Sequence, residues 1–310
     1  MKKIIIYTSF LIFIPFLVVT IFNNLKVKEI SLNYVTNTTI RVKRLEKNTI
    51  EVINLEEYIV GVLAGEMPIY FEKEALKAQA VASRSYALKR IEYNKDKEYD
   101  VVDSTLNQVY LDLDYLKSRW DNNYVSYINK LRECVNETMD EYLEYDGKVV
   151  EAMFFSTSNG YTENVKDVFD LDLPYLKSVE SVWDSEVSTA FNYEKTMSLQ
   201  EFYERLGIKY NDVLDIKILS RSNTNRVLKI NINNNEISGR DMYNKLGLRS
   251  TDFEIKRLGS NVIIKTKGYG HGVGMSQNGA QGMAKEGYNY KEILAHYYTD
   301  TNLKKIKILS

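Results

Sequence analysis

The chain has 310 residues and a formal net charge of −1, from 41 Lys and Arg against 42 Asp and Glu. That length gives room for one or two domains with a sizeable core, and the charge balance makes no electrostatic case for nucleic acid. A single cysteine, Cys134, excludes an internal disulfide and a cysteine zinc cluster; two histidines, His271 and His296, exclude a His-rich metal site but leave a histidine–carboxylate site open.

Lys2 and Lys3 precede an uncharged, apolar run over residues 4–22, long enough to span a bilayer. The lysine pair places the N-terminus in the cytoplasm. No A-x-A cleavage pattern follows, so an uncleaved anchor is expected rather than a removed signal peptide. The expected organisation is a cytoplasmic tail at 1–3, a transmembrane anchor at 4–22, a juxtamembrane segment at 23–40, and an extracytoplasmic domain at 41–310 of one or two lobes.

Short alternating runs at 40–42 and 49–53 read as strands. They lead into residues 54–93, the stretch around which the chain is organised. Asn54 is a good N-cap, and Glu57 three residues on completes a capping-box pattern. Leu55, Ile59, Val62 and Leu63 then form one apolar stripe at helical spacing, and Glu66 falls on the same stripe. Pro68 disfavours helical backbone at Met67, so the helix ends there. Glu66 is therefore expected in the last turn, facing inward. Burial and the negative end of the helix dipole both raise a carboxyl pKa, and a carboxyl kept protonated near neutral pH can serve as a general acid. The same spacing also fits a partly exposed glutamate at a helix end.

A second helix is expected over 72–93. Ala75, Ala78, Ala80, Ala82, Ser83, Ser85 and Ala87 make it rich in small residues, which let another backbone come close. Gln79 and Arg84 lie among them, either pointing into a site or on the surface. Further on, 100–110 reads as extended, 116–141 as helical, and 148–155 as an apolar strand followed by the polar loop 156–160. That loop offers hydroxyls and backbone N–H groups to a ligand, or is only a turn. Residues 174–235 carry no recognisable chemistry. A helix at 198–206, a hairpin of 213–219 with 226–232, a helix from Ser238 to Leu246, and a second hairpin of 253–256 with 262–265 complete this part. No internal repeat and no low-complexity linker is present.

Residues 268–281, GYGHGVGMSQNGAQ, alternate glycine with other residues but match neither the dinucleotide fingerprint nor the P-loop. Such a run lets backbone approach a ligand or another strand closely. A helix is expected from Ser276, its free N–H groups facing the loop. His271 either donates to a sugar oxygen or is held structurally by backbone bonds. A helix at 289–303 carries His296, read as packing or capping. The fold class is α+β, with the helix pair and several short antiparallel strands around a cleft that the glycine-rich loop borders.

The combination EEYIVGVLAGEMP, EALKAQAVASRSYAL, FFSTSNGYTEN and GYGHGVGMSQNGAQGMA, in this order over most of 50–305, resembles the stage II sporulation protein D family. The resemblance implies a membrane-anchored lytic transglycosylase acting on peptidoglycan during engulfment, with the glutamate of the Glu-Met-Pro motif, Glu66, as catalytic acid and base. It implies denuded glycan strands as preferred substrate, and as partner the stage II sporulation protein P amidase, which strips the stem peptides, alongside other engulfment proteins. Arg84, Ser156, Ser158, His271, Ser276 and Gln277 are the candidate glycan-binding residues. Asn159 and Tyr161 depart from a common Ser-Thr-Ser-Gly-Gly-Lys-Thr-Glu pattern. The zinc that some clostridial members hold through cysteines and histidine is not expected here, because Cys134 is alone, and no cofactor is expected. Two other readings compete: a non-catalytic glycan-binding activator of a cell-wall amidase, and a hydrolase that uses water with Glu163 or Glu57 as second carboxylate.

Overall fold

Asn54 closes a strand and opens a helix, and the architecture grows from that junction. The computed structural model describes residues 28–34 and 36–307. The expected anchor at 4–22 lies outside the described residues, and no described helix is long and apolar enough to cross a membrane.

β1 (Thr39–Arg44) and β2 (Thr49–Asn54) form an antiparallel hairpin with Ile40 opposite Ile53. Helix α1 (Leu55–Glu66) follows at once. The Asn54 side chain accepts from the Glu56 N–H at 2.9 Å. The capping box expected with Glu57 does not form. Glu57 instead accepts from the Tyr34 hydroxyl at 2.6 Å and lies near Arg132. Helix α2 (Lys73–Tyr93) comes next, then β3 (Val101–Val102), which joins β1 in parallel. The polar stretch expected as one helix over 116–141 is two, α3 (Leu113–Trp120) and α4 (Tyr124–Glu137), separated by a 3-10 turn at Asp121–Asn123. Asp121, at φ 43°, leaves the helical region there.

β4 (Glu141–Tyr145) and β5 (Lys148–Val149) pair antiparallel. β6 (Phe154–Phe155) uses only the end of the apolar run expected as a strand. Short helices α5 (Val165–Phe169) and α6 (Asp184–Val187) precede β7 (Asn192–Ser198) and α7 (Leu199–Leu206). β8 (Ile216–Arg221), β9 (Val227–Ile232) and β10 (Asn235–Ser238) make one antiparallel sheet, in the order β10-β9-β8. Helix α8 (Gly239–Leu246) is capped by Ser238, as its sequence predicts. β11 (Phe253–Leu258) and β12 (Asn261–Lys267) form the second hairpin, and β7 adds to it as β11-β12-β7. β13 (Met275–Ser276) pairs in parallel with β6 and runs into α9 (Gln277–Lys285). The tail expected to be helical to Leu303 stops after α10 (Tyr290–Tyr297); its end becomes β14 (Asn302–Lys305), paired with β4.

Three apolar clusters hold these elements. One gathers α1, α4 and the first hairpin around Tyr58, Ile59, Leu63, Ile128 and Leu131. Another gathers β4, α9 and α10 around Val150, Met275, Ile293 and Tyr297. The third lies wholly within residues 197–264, between the β8–β10 and β7/β11/β12 sheets and helices α7 and α8. Helix α2 sits between the first two. Leu76, Ala80 and Ala87 face one, while Ala75, Ala78, Val81 and Ala82 face the other. A helix packed on both sides has no polar face, and small side chains are what allow both neighbours to approach.

Arg84 belongs to that packing. Its guanidinium is fully buried and grips the equally buried Glu56 carboxylate twice, Nε to Oε1 at 2.7 Å and Nη2 to Oε2 at 2.6 Å. Its Nη1 donates to the Glu141 carbonyl at 2.9 Å. The expectation that Arg84 holds glycan is thus corrected: every donor direction of the fork points at protein, and no exposed atom remains. Gln79 is buried too, bonded to Ser83 at 3.0 Å. Arg84→Met leaves the Glu56 charge buried and unpaired and is expected to cost about 3–5 kcal/mol in urea unfolding. Glu56→Leu with Arg84→Met leaves no charge behind and should recover a large part of that loss; equal losses for the single and the double variant would contradict the pairing.

Candidate functional site

Glu66 is the last residue of α1, and Met67 before Pro68 is extended, at φ −122° and ψ 143°. The steric demand of the proline ring ends the helix and leaves Glu66 half-buried at its C-terminal end. Its Oε1 accepts the Val109 backbone N–H at 2.6 Å. Burial raises the carboxyl above its ordinary value of 4.5, while the Val109 N–H and Gln277 pull it part of the way back. No carboxylate is among the causes of that shift.

The Val109 contact depends on two glycines. A Cβ on Gly65 would lie 2.3 Å from the Val109 carbonyl oxygen, and one on Gly61 would lie 2.4 Å from the Tyr110 ring. Spaced four apart on one face of α1, they let the 108–111 segment lie against the helix, where the Leu111 N–H donates to the Gly61 carbonyl at 3.2 Å. Fully buried Gln108 fastens that segment, accepting from the Tyr58 hydroxyl at 3.1 Å and donating to the Ser83 carbonyl at 3.3 Å. Val109 leaves no trace in the sequence, because a backbone N–H carries no residue signature. The pair of glycines in GVLAGE was the available signal.

Helix α9 approaches from the other side. Gln277, at its first turn, reaches the Glu66 carboxyl closely enough to lower its pKa. Yet its own Nε2 is buried without a well-aligned hydrogen-bond partner. Gln281, one turn on, accepts at 2.7 Å the N–H of Glu72, the residue at the start of α2, which has no cap from its own side chain. One face of α9 thus pins the turn between α1 and α2 and presents an amide to the carboxyl.

The start of α9 is set by a buried hub. Asp184 accepts the Ser158 N–H at 2.8 Å, the Ser181 hydroxyl at 2.6 Å, and the Ser276 hydroxyl. Burial raises its pKa, and these donors counter the rise. Ser276 also caps α9 through the Gly279 N–H at 3.2 Å, and the Ser158 hydroxyl donates to the Ser181 carbonyl at 2.9 Å. Ser158 and Ser276 are both fully buried. Expected to touch glycan, they instead spend their hydroxyls inside the protein, tying the 156–160 loop to α6 and α9. Ser156 is half-buried; its carbonyl accepts the Asn278 N–H at 3.0 Å and side-chain amide at 2.9 Å, while its hydroxyl lies 3.2 Å from that of Thr157.

His271 is also corrected. Its Nδ1 accepts the Val273 N–H at 3.1 Å, the other side of the ring bonds the Phe154 backbone, and the ring lies between those of Phe155 and Phe169. Burial first, and the Arg226 cation second, push it down to about 4, so it is neutral at pH 7 and held structurally. His296 is a packing residue, against Trp183 and Tyr297, with Nε2 2.7 Å from the Glu180 carbonyl. Of the expected set, the structure brings Glu66 and Gln277 together, leaves Ser156 partly accessible, and commits Arg84, Ser158, His271 and Ser276 to internal bonds. Among the described residues no group of three or more His, Cys, Asp or Glu side chains is placed to hold a metal ion.

Gly65→Ala tests this geometry without touching the acid. The added methyl drives against the Val109 carbonyl, at a cost of about 1–3 kcal/mol of stability in thermal unfolding, and displaces the N–H that Glu66 needs. Whatever turnover the protein shows is expected to fall at least tenfold in folded Gly65→Ala; wild-type rates would mean the Val109 contact is dispensable.

A family profile described as Stage II sporulation protein matches residues 43–145. Stage II sporulation protein D of Bacillus amyloliquefaciens is 41% identical over 273 residues, covering 86% of this chain and 79% of that protein. Its counterpart in Bacillus subtilis (strain 168) is 41% identical over 272 residues, with the same shares of 86% and 79%. A Bacillus subtilis protein named Amidase enhancer is more distant, 26% identical over 299 residues, covering 78% of this chain and 40% of that protein.

Proposed function

The chain belongs to the stage II sporulation protein D family, and from that premise we propose that it is a lytic transglycosylase that cuts peptidoglycan glycan strands, with Glu66 as its acid and base. The observation that carries this reading is a single carboxyl whose pKa is raised by burial, with one oxygen held by a backbone N–H and an amide alongside. In this reading Oε2, the oxygen not held by the Val109 N–H, is the one that delivers the proton.

In this mechanism protonated Glu66 donates to the glycosidic oxygen between N-acetylmuramic acid and N-acetylglucosamine. As a carboxylate it then takes the proton from the muramic C6 hydroxyl, which attacks C1 and closes a 1,6-anhydro ring. One carboxyl suffices, whereas hydrolytic glycosidases ordinarily use two. The hydrolase alternative loses support from the positions of its candidates. Glu57 is taken up by Tyr34 and Arg132, and Glu163 lines a separate cavity whose wall includes none of Glu66, Val109 and Gln277. Gln277, beside the carboxyl, is placed to orient it toward the strand. The run at 4–22 anchors the protein with its catalytic domain outside the membrane, acting on strands that the stage II sporulation protein P amidase has denuded during engulfment.

The test uses the protein in detergent with purified glycan strands, with and without stem peptides, and identifies product ends by mass spectrometry. Anhydro-muramic ends, more abundant from denuded strands, are expected from the parent, and roughly 10²- to 10⁴-fold fewer from Glu66→Gln. Reducing ends would instead mean hydrolysis. Strands bound but uncut by the parent would mean an activator.

Stability gives an independent check on the buried acid. Below its ordinary pKa, Glu66 is protonated in both folded and unfolded chains and contributes no penalty. As pH rises past 4.5 the unfolded carboxyl ionises while the buried one resists, so stability is lost until the folded pKa is passed. Glu66→Gln is therefore expected to match the parent in thermal unfolding at pH 4 and to equal or exceed it at pH 7. A variant destabilised only at pH 7 would mean that the carboxylate is favoured by the fold.

A further inference from the structure

A cavity of about 420 Å³ lies where the lobe built on residues 197–264 meets the loops of the rest of the protein. Its lining includes neither Glu66, Val109 nor Gln277. Arg226, from the start of β9, forms part of its wall. The side chain is 2% exposed, and only Nη1 is well bonded, donating to the Ser250 hydroxyl at 3.0 Å. Among the described residues Nε and Nη2 have no hydrogen-bond partner; Nε lies 3.3 Å from Glu163 Oε1, close enough for attraction but out of line. The guanidinium lies against the bare Cα of Gly272, where a Cβ would meet Cζ and Nη2 at 2.8 Å. The glycine of the GHGVG run, at φ +88°, thus makes room for a cation.

A buried guanidinium with unused donors is costly unless an acceptor reaches it. The protein acids nearby do not fill that need. Asp252 is engaged by Arg221, Asn225 and Asn159. Glu163 also faces Ser222, Asp167 and Asp252, and its burial pushes it up to about 7, so near neutral pH it gives Arg226 only part of a counter-charge. Arg240 lies over the Phe169 ring on the cavity wall, exposed to solvent, and adds a second positive charge. Val168, Phe169, Leu228 and Tyr243 supply apolar surface beside these cations.

We infer that this cavity binds a carboxylate, with Arg226 as its receptor, Arg240 drawing the anion in, and the apolar wall accommodating a short carbon body. A guanidinium matches the two oxygens of a carboxylate in geometry as well as charge. The carboxylate comes either from a free small acid or from the lactyl arm of muramic acid, which is free wherever a strand carries no peptide.

The experiment is titration calorimetry of the full chain in detergent at pH 6, with sodium D-lactate, N-acetylmuramic acid and N-acetylglucosamine as separate probes. Binding of D-lactate or N-acetylmuramic acid, with none of N-acetylglucosamine, is expected. D-lactate alone would identify a free acid as the source, N-acetylmuramic acid alone the glycan. Arg226→Lys is expected to weaken binding at least tenfold. Val168→Trp, which fills the cavity without touching Arg226, should abolish it, so the claim stands or falls even if one variant fails to fold. Raising the pH to 8 should weaken binding several-fold, as Glu163 ionises and competes for Arg226. No heat from either acid, equal heat from N-acetylglucosamine, or binding retained by both folded variants would overturn the site. A protein that binds the acid but cuts no glycan would sink the reaction proposed for Glu66 and leave this cavity standing.

Discussion

The buried ion pair between Arg84 and Glu56 sets the frame in which everything else is placed. A fully desolvated charge is tolerated only where its partner is held in geometry, so the pair fixes the first turn of α1 against the middle of α2. Through the Glu141 carbonyl, and through the Asp140 N–H that Glu56 accepts at 3.3 Å, the same pair reaches β4 and the second core. Ser85, beside Arg84, accepts the Leu143 N–H at 2.8 Å and strengthens that link. Moving α1 would break this arrangement before it disturbed Glu66 at the far end of the helix.

Around that frame the Glu66 site is assembled from the ends of elements rather than from their middles. The carboxyl sits where proline stops α1, the Val109 N–H comes from a segment admitted by two glycines, and Gln277 comes from the first turn of a helix whose start is fixed by Asp184. Glu66 ends a helix, Gln277 begins one, and Val109 lies in an irregular segment whose N–H no strand or helix has claimed. At a helix end the Glu66 carboxyl is partly desolvated and still partly open to solvent. The middle of α2 and the Asp184 hub are buried and spend their polar groups on internal bonds.

The lobe at residues 197–264 is joined to the rest through polar loops more than through shared core. Asn159 donates to the Thr224 carbonyl and to Asp252, and the Gly270 N–H donates to the Arg249 carbonyl at 2.8 Å. The glycine-rich run at 268–274 therefore serves two sides: it admits Arg226 toward the lobe and leads through β13 to α9 and the acid. The alternation of glycines in GYGHGVG answers to this double approach. A Cβ on Gly268, Gly270, Gly272 or Gly274 would meet Thr157, Phe155, Arg226 or Met153 within 3 Å.

What could be read from the sequence was local. Asn54, Ser238 and Ser276 announced helix starts because a cap needs only its own next three residues, and Pro68 announced a stop for a steric reason one residue long. The apolar stripe of α1 placed Glu66 on the inner face because helical periodicity relates residues within a few turns. The glycine-rich run and the helix pair carried the family resemblance, and with it the choice of Glu66. Tertiary structure alone decided which polar residues face a ligand. Arg84 and Glu56 are 28 positions apart, Ser276 and Asp184 are 92 apart, and Glu66 and Val109 are 43 apart. No periodicity connects such pairs. A buried polar group must find a partner somewhere, but the sequence does not say where, so Arg84, Ser158, His271 and Ser276 look like ligand-binding residues until the fold shows their bonds already made.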